Sequence, residues 1–266
     1  MNTKNFEFLR DGLKFMGFGE TMHAELESKI KEQPKEFQLN FSGEFKKDDA
    51  VADKVDYRLN FRKSDQTDMY FFNSYQATLK NDDSSKEKTQ TFYINKNSGV
   101  TAKEAYNLLS GRAVNKDLSK KDGQPYNAWL QLDFTEKDKN NNFAMKQFTD
   151  RYGYDLREVL GRYPIKEAFD EYQKSVIMRS LEKGNQRAVT LTRDGKDEKM
   201  FIEANPQFKT LNLYDGKMQR VFQENGKKEG KQETEKAKDN KETAKQEVDE
   251  DGEGMKKKQR KKGIGV

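Results

Sequence analysis

The densest group of like charges in the sequence is a basic cluster near its C-terminal end, made of Lys256, Lys257, Lys258, Arg260, Lys261 and Lys262. Six cations within seven positions neutralise several nucleic-acid phosphates and release their counterions, which predicts weak, salt-sensitive, non-specific attraction to DNA or RNA. An acidic run over 247–253 precedes the cluster. A solubilising tail whose charge blocks partly cancel is therefore the alternative. The last four residues, 263–266, could instead be a short docking motif.

Nucleophilic and metal chemistry have few residues to use. The chain has no cysteine, which removes disulfides, thiolate metal sites and cysteine nucleophiles. His23 is the single histidine. It lies between Met22 and Leu26 in an amphipathic pattern, which predicts a surface or partly packed side chain of a helix. No cofactor and no metal site are predicted.

Carboxylates are abundant, but their surroundings indicate solvated loops. Asp48, Asp49, Asp82, Asp83 and Asp138 all fall in segments rich in Lys, Asn and Ser. The segment 138–142 lacks the ordered ligand spacing and the later glutamate of a calcium loop. An enzyme with a carboxylate site and a hard metal, such as a nuclease or a hydrolase, stays open as the alternative function.

The first 33 residues predict two helices. Apolar residues at helical spacing cover about 5–16, and a second such pattern covers 20–32 with Pro34 beyond it. Gly17 and Gly19 lie between them. Because this pair lacks a third glycine and a preceding strand, it predicts a turn between helices and no dinucleotide site.

From residue 37 onwards apolar residues recur at every second position, which predicts an antiparallel meander with one face exposed to solvent. Tyr57 and Phe61 alternate with Arg58 and Arg62. This arrangement predicts an aromatic core face backed by charges, whereas a single-strand nucleic-acid binder would need exposed aromatic rings. The second face of the strand over 69–79 also carries aromatic residues, Tyr70 and Phe72, so cover by a helix or a partner is expected there.

The second half predicts helices alternating with short strands. A capping box at Thr101 and Glu104 begins a helix. Pro164 is expected to begin a longer one, with the apolar stripe Ile165, Phe169, Tyr172, Val176 and Leu181. The pair Asp194-Gly195 predicts a two-residue hairpin that sets Val189 opposite Met200. The segments after Gly111 and after Gln186 resemble each other, which suggests a duplicated α-β-β-β unit.

Several stretches together resemble a domain-of-unknown-function family over about residues 100–222. The stretches are 108–114 (LLSGRAV), 126–134 (YNAWLQLDF), 152–156 (YGYDL), 163–167 (YPIKE), 201–210 (FIEANPQFKT) and, as a similar tail, 260–266 (RKKGIGV). That family occurs in proteins of gut anaerobic bacteria, often encoded on conjugative or integrative mobile elements. The resemblance implies a genomic neighbourhood; it supplies no catalytic residues.

Composition sets the overall organisation. Charged residues make up 36% of the chain and hydrophobic ones 32%. Residues 225–266 hold too little apolar material to repay the entropy of folding, which predicts a disordered charged tail that carries +3 of the +5 net charge. We expect an N-terminal region over 1–99 with helices and a meander, and an α+β domain over 100–224. No apolar signal core or membrane span is evident, so a cytoplasmic location is expected.

These observations favour a non-catalytic accessory or adaptor protein of a mobile element. Its folded part would contact a protein partner through exposed sheet or helix surfaces, and its tail would add weak nucleic-acid attraction. The sequence indicates neither that partner nor an oligomeric state.

Overall fold

The computed structural model describes residues 2–46, 52–94, 99–193 and 195–222. Within these ranges every strand pairing is antiparallel, and the predicted α+β class is confirmed. The helices are α1 (Thr3–Phe15), α2 (His23–Glu32), α3 (Ala102–Leu109), α4 (Leu156–Gly161) and α5 (Glu171–Glu182). The strands are β1 (Glu36–Phe45), β2 (Asp53–Lys63), β3 (Tyr70–Leu79), β4 (Lys88–Tyr93), β5 (Val114–Ser119), β6 (Pro125–Lys137), β7 (Phe143–Thr149), β8 (Arg187–Arg193), β9 (Lys196–Asn205), β10 (Thr210–Tyr214) and β11 (Arg220–Val221).

The first sheet is the predicted meander, in the order β1-β2-β3-β4. Its inner face is aromatic and lies under α1, α2 and α3. Tyr57 and Phe61 are buried there, so their predicted core role is confirmed. The hydroxyl of Tyr57 donates to the carbonyl of Ala102 at 2.7 Å, which fastens α3 to the sheet. Burial raises the pKa of Tyr57 far above its ordinary value.

The expectation that Tyr70 and Phe72 lie on the second face of β3 is wrong. Asn60 pairs with Ser74 and Phe61 with Phe72, so Asn73 is an extra residue that forms a β-bulge. The bulge shifts the alternation of β3 by one, and Tyr70 and Phe72 therefore turn towards the core. α1 and the chain after α2 provide the cover.

The second sheet, β5-β6-β7, separates two hydrophobic cores. Alternate side chains of β6 point in opposite directions: Ala128, Leu130 and Leu132 join the first core, whereas Trp129 joins the second. The first core therefore includes residues on both sides of position 100. The described residues belong to one compact unit, Met1–Phe222. The division into two domains at residue 100 stays a prediction.

The third sheet, in the order β11-β10-β9-β8, closes the second core together with α4 and α5. Val189 pairs with Met200, so the predicted register of the β8–β9 hairpin is confirmed. The side chains predicted to share one face, Val189, Leu191, Met200 and Ile202, all lie in this core. The turn residue Asp194 lies outside the described residues.

The predicted long helix after Pro164 is wrong in its first half. The chain forms a short 3-10 helix, Lys166–Phe169, and then begins α5 with Asp170 as its N-cap, whose carboxylate accepts from the backbone N–H of Gln173 at 2.7 Å. Because the helix restarts there, the apolar stripe is broken. Phe169 and Tyr172 point into solvent, and Ile177 and Leu181 are the buried residues of α5.

The order helix–strand–strand–strand does occur twice, as α3-β5-β6-β7 and as α5-β8-β9-β10; common ancestry stays a prediction. A buried joint connects the two segments. Arg112 donates from Nε to the carbonyl of Gly184 at 2.9 Å and from its guanidinium to Oδ1 of Asn107 at 2.6 Å. Asn107 in turn donates to Oδ1 of Asn185 at 3.1 Å. The joint fixes α3 against the end of α5.

Candidate interaction surface on α1

α1 carries two exposed phenylalanines one heptad apart. The helix begins at its N-cap Asn2, and its buried face is formed by Asn5, Leu9 and Leu13. Phe8 and Phe15 project from the solvent-facing side next to it and are 64% and 86% exposed. Residues seven apart lie on one face of an α-helix, so the two rings form one apolar line along it.

Gly12 lies on the same helix face, between the two rings. Glycine in a helix interior costs roughly 1 kcal/mol relative to alanine. Nothing lies within 4 Å of the place where a Cβ at position 12 would stand, so no contact inside the described structure requires a glycine there. The missing side chain leaves a gap on one side of the line between the two rings; Asp11, three residues after Phe8 and four before Phe15, lies on the other side. We call Phe8, Gly12 and Phe15 the α1 stripe.

Two ion pairs lie near the stripe. Arg10 pairs with Asp11 at 2.9 Å, and Nζ of Lys14 lies 2.6 Å from Oε1 of Glu20. The hydrogen bond between Lys14 and Glu20 raises the pKa of the lysine and lowers the pKa of the glutamate. Apolar rings with paired charges beside them are more typical of a protein–protein interface than of an anion-binding site.

Other exposed aromatic residues are Phe71 and Tyr93 in the first sheet, 47% and 59% exposed, and several in the second half of the chain. Phe169 and Tyr172, at the start of α5, are 81% and 69% exposed. Phe208 also faces solvent, next to Lys209, whose ammonium lies 4.9 Å from the ring centroid of Tyr152. The hydroxyl of Tyr152 donates to the carbonyl of Gln207 at 2.7 Å, which shows a structural role for this ring. None of these residues flanks an unexplained gap as Phe8 and Phe15 do.

The six predicted nucleic-acid-binding residues lie outside the described residues, namely Lys256, Lys257, Lys258, Arg260, Lys261 and Lys262. The acidic run over 247–253 lies outside them too, as do Asp48 and Asp49. The structure therefore brings none of these side chains to a described surface, and their role stays a prediction.

The remaining sequence candidates have local roles. His23 begins α2 and is half-buried, with Nε2 enclosed and without a hydrogen-bond partner. Oδ1 of Asp138 accepts from the backbone N–H groups of Asn140 and Asn142 at 2.8 and 2.9 Å, so this carboxylate organises its own turn. Asp83 likewise accepts from the N–H of Ser85 at 3.0 Å. Over the described ranges, no group of three or more His, Cys, Asp or Glu side chains is placed to hold a metal ion.

The outer face of the first sheet is mostly polar, as predicted, although it also carries the exposed rings of Phe71 and Tyr93. Arg58 and Arg62 are exposed on it, and Arg58 donates to Oε1 of Gln76 on the neighbouring strand. A shallow depression lies over Arg58; its lining includes Asn40, Ser42, Lys54, Asp56, Gln76 and Thr78. Asp56 already accepts from the hydroxyl of Ser42 at 2.6 Å. The face is therefore a ladder of cross-strand polar contacts, and it gathers no set of catalytic groups.

Sequence reasoning missed the α1 stripe, although a signal for it exists. The periodic residues Phe6, Leu9, Leu13 and Met16 account for the side of α1 that packs on the core. Phe8 and Phe15 fall outside that period and share a second face with Gly12. Two aromatic residues off the buried stripe, on either side of a mid-helix glycine, are the pattern that marks this surface.

Comparison of the chain with protein-family models, with curated proteins and with solved structures finds no match. Among the described helices, none is both long enough and apolar enough to cross a membrane.

Proposed function

We propose that this chain is a non-catalytic accessory or adaptor protein of a mobile genetic element. It binds a protein partner through the α1 stripe and adds weak, non-specific attraction to nucleic acid through the basic cluster at 256–262. The mobile-element context rests on the resemblance of residues 100–222 and of the tail to proteins of such elements. The protein-binding role rests on the surface of α1.

One observation carries the protein-binding role: the α1 stripe leaves Phe8 and Phe15 in solvent on either side of a glycine that no described contact requires. Exposed aromatic residues are the typical anchors of protein interfaces, because a rigid ring buries a large area at small entropic cost. Gly12 provides the complementary recess, into which a partner side chain fits between the rings. An amphipathic helix of the partner, crossing α1 at Gly12, is the element that matches this shape.

Affinity purification of the full chain from cells that carry the whole element tests this role. The test variant is Phe8→Ser/Phe15→Ser, and the matched control is Phe169→Ser/Tyr172→Ser, which removes two equally exposed rings elsewhere. The same protein should co-purify with the wild-type chain and with the control, and should be lost from the test variant. Loss from the control alone would contradict the assignment to α1.

The tail contribution is tested by titrating DNA and RNA at several salt concentrations, with the full chain and with a chain that lacks residues 225–266. Each neutralised phosphate contributes roughly −0.7 to −0.9 to the slope of log K against log salt, so six cations change it by at most about 4 to 5. Deletion should weaken binding and flatten the slope. An unchanged affinity and an unchanged slope would show that the tail does not bind nucleic acid.

A further inference from the structure

The outer edge of β1 has no strand beside it in the described structure, and its hydrogen-bonding groups point outward. The backbone N–H of Lys63 donates to the carbonyl of Lys35 at 2.8 Å, so the pair 35/63 is a hydrogen-bonded pair of the antiparallel ladder. In such a ladder the hydrogen-bonded positions alternate. The residues whose N–H and C=O groups face away from β2 are therefore Glu36, Gln38, Asn40, Ser42 and Glu44.

The opposite edge of the same sheet is partly covered. Oδ1 of Asn142 accepts from the outward N–H of Thr91 on β4 at 2.9 Å. The side chain of Gln90 on β4 binds the backbone of Phe143 in both directions, accepting from its N–H at 2.8 Å and donating to its carbonyl at 3.4 Å. Within the described residues, no side chain is seen to bind the β1 edge in this way.

β1 lacks most of the usual protections of an edge strand. Natural edge strands are short, bulged, or carry charged side chains, above all lysine, or proline, because a regular edge otherwise pairs with another chain. The charges of β1 are two glutamates near its ends. β1 spans ten residues, pairs with β2 in one continuous register, and contains neither lysine nor proline. A regular edge of this length matches an added β-strand, which main-chain hydrogen bonds would hold in place.

Charge selects which strand would fit. Glu36 and Glu44, near the two ends of β1, are exposed. The cations opposite them on β2 are engaged elsewhere: Arg62 contacts Asp65 at 3.4 Å and Lys54 approaches Asp56 at 3.9 Å. Opposite charges directly across neighbouring strands are favourable. A strand with a cation at each end would therefore complement the two glutamates.

The inner face of β1 adds an apolar preference. Phe37 and Leu39 are buried, whereas Phe41 and Phe45, further along the strand, are only half-buried. Gly43, between them, presents no side chain. Apolar residues on the inner face of an added strand would cover the exposed parts of Phe41 and Phe45.

A second copy of the chain fits this edge less well. If two β1 strands paired antiparallel over their full length, about Asn40, Glu36 of each copy would stand opposite Glu44 of the other. Like charges directly opposite on neighbouring strands are destabilising. In the full-length register the edge is thus better matched to a foreign strand with cations at its ends than to itself.

We infer that the β1 edge takes up an extended strand of a partner protein, with alternating apolar residues and a lysine or arginine at each end. This surface is separate from the α1 stripe and does not depend on it. The added strand would make the first sheet five-stranded, with main-chain hydrogen bonds to the outward groups of Glu36, Gln38, Asn40, Ser42 and Glu44.

Fluorescence anisotropy with two labelled peptides and the full chain tests this inference. The probe is Lys-Val-Thr-Val-Thr-Val-Thr-Val-Lys, and the control peptide has glutamate in place of both lysines. The main variant is Asn40→Pro, which removes one outward N–H but leaves the ladder to β2 intact, since edge strands accept proline at such positions. Asn40→Thr keeps the N–H and is its matched control. A charge-swapped chain, Glu36→Lys/Glu44→Lys, completes the set.

The lysine peptide should bind the wild type and Asn40→Thr equally, and Asn40→Pro at least about tenfold more weakly, because main-chain bonds carry strand addition. The charge-swapped chain should prefer the glutamate peptide. Because Glu36 and Glu44 are exposed, the charge swap should not disturb folding, so this comparison still tests the inference if Asn40→Pro does not fold. Equal binding to Asn40→Pro, or equal affinity of the wild type for both peptides, overturns the inference. A dimer of the wild-type chain that Asn40→Pro abolishes in analytical ultracentrifugation would assign the edge to a second copy instead.

Discussion

Gly184 is the position where one added methyl group should do most damage. It follows α5 with a φ of +75°, and its carbonyl accepts from Nε of Arg112 in the joint between the two α-β-β-β segments. A Cβ at this position would lie 2.8 Å from Cγ2 of Val114, 2.9 Å from the carbonyl oxygen of Ala113 and 3.0 Å from Cβ of Asn107. Two of these neighbours are backbone or Cβ atoms that cannot rotate away.

Two costs add in Gly184→Ala. The left-handed backbone costs a residue with a Cβ about 1–2 kcal/mol. Forcing a methyl group into a filled space costs about 1–3 kcal/mol more. Gly123→Ala is the matched control: its φ is +86°, but nothing lies within 4 Å of the added Cβ, so only the first cost applies. We expect losses of about 2–5 kcal/mol for Gly184→Ala and about 1–2 kcal/mol for Gly123→Ala.

Urea unfolding measures both values. Trp129 is the single tryptophan and lies in the second core, so its fluorescence reports the unfolding of the region that Gly184 holds together. The midpoints should differ while the slopes against urea stay equal. Equal losses for the two variants would refute the close approach of Gly184 to β5 and α3, and with it the joint.

Three further predictions concern α1 and the second sheet. Asn5→Ala should destabilise the chain by about 2–4 kcal/mol in urea unfolding. The substitution leaves the buried N–H and carbonyl of Tyr70 without the hydrogen bonds of 2.7 and 3.0 Å that Asn5 makes to them. Gln38→Ala removes an exposed hydrogen bond to Asn60 and should cost less than about 1 kcal/mol. Gly12→Ala should raise stability by about 0.5–1 kcal/mol and yet weaken capture of the partner; unchanged capture would argue against a recess at Gly12. The hydrogen bonds from Lys146 and then Thr135 hold the pKa of Asp133 in the folded chain below its ordinary value. The ionised Asp133 therefore stabilises the fold at a pH above its pKa in the unfolded chain, near 3.9, and this stabilisation is lost as the pH falls towards the pKa in the folded chain. The urea midpoints of wild type and Asp133→Asn should accordingly differ at pH 7 and converge on acidification; a gap that is constant with pH would contradict this.

Local signals predicted much of the fold. The Asp-Gly pair at 194–195 is typical of a two-residue turn, and such a turn leaves one register for β8 and β9; this is why Val189 could be placed opposite Met200. The capping box at Thr101 and Glu104 marked the start of α3 because both of its hydrogen bonds lie within four residues. In both places the residues that determine the structure are close in the chain, so the sequence alone was sufficient to predict it.

Non-local determinants were missed. The bulge at Asn73 reverses the facing of Tyr70 and Phe72, and no residue type in that segment demands a bulge; pairing with β2 and cover by α1 decide it. Similarly, helical spacing placed Phe169 and Tyr172 on one apolar stripe, but Asp170 caps a new helix between them. Periodicity cannot detect such a restart when apolar residues continue on both sides of it.

The candidate surfaces divide in the same way. The α1 stripe is readable from spacing alone, once the residues of the buried face are set aside. The edge position of β1 follows from the predicted meander, because the first strand of a meander has a single neighbour. The cover of the opposite edge could not be read from the sequence, because it joins Thr91 to Asn142 and Gln90 to Phe143, residues more than 50 positions apart.

Site-specific photo-cross-linking tests the adaptor role most directly. The full chain, with Phe15→p-benzoylphenylalanine in one version and Phe169→p-benzoylphenylalanine in the other, is irradiated in cells that carry the element. Both positions are more than four-fifths exposed, so their intrinsic reactivity towards neighbours is matched. If α1 binds the partner, one discrete cross-linked protein should form from position 15 and none from position 169. A discrete product from position 169 alone, or none from either position, would contradict it.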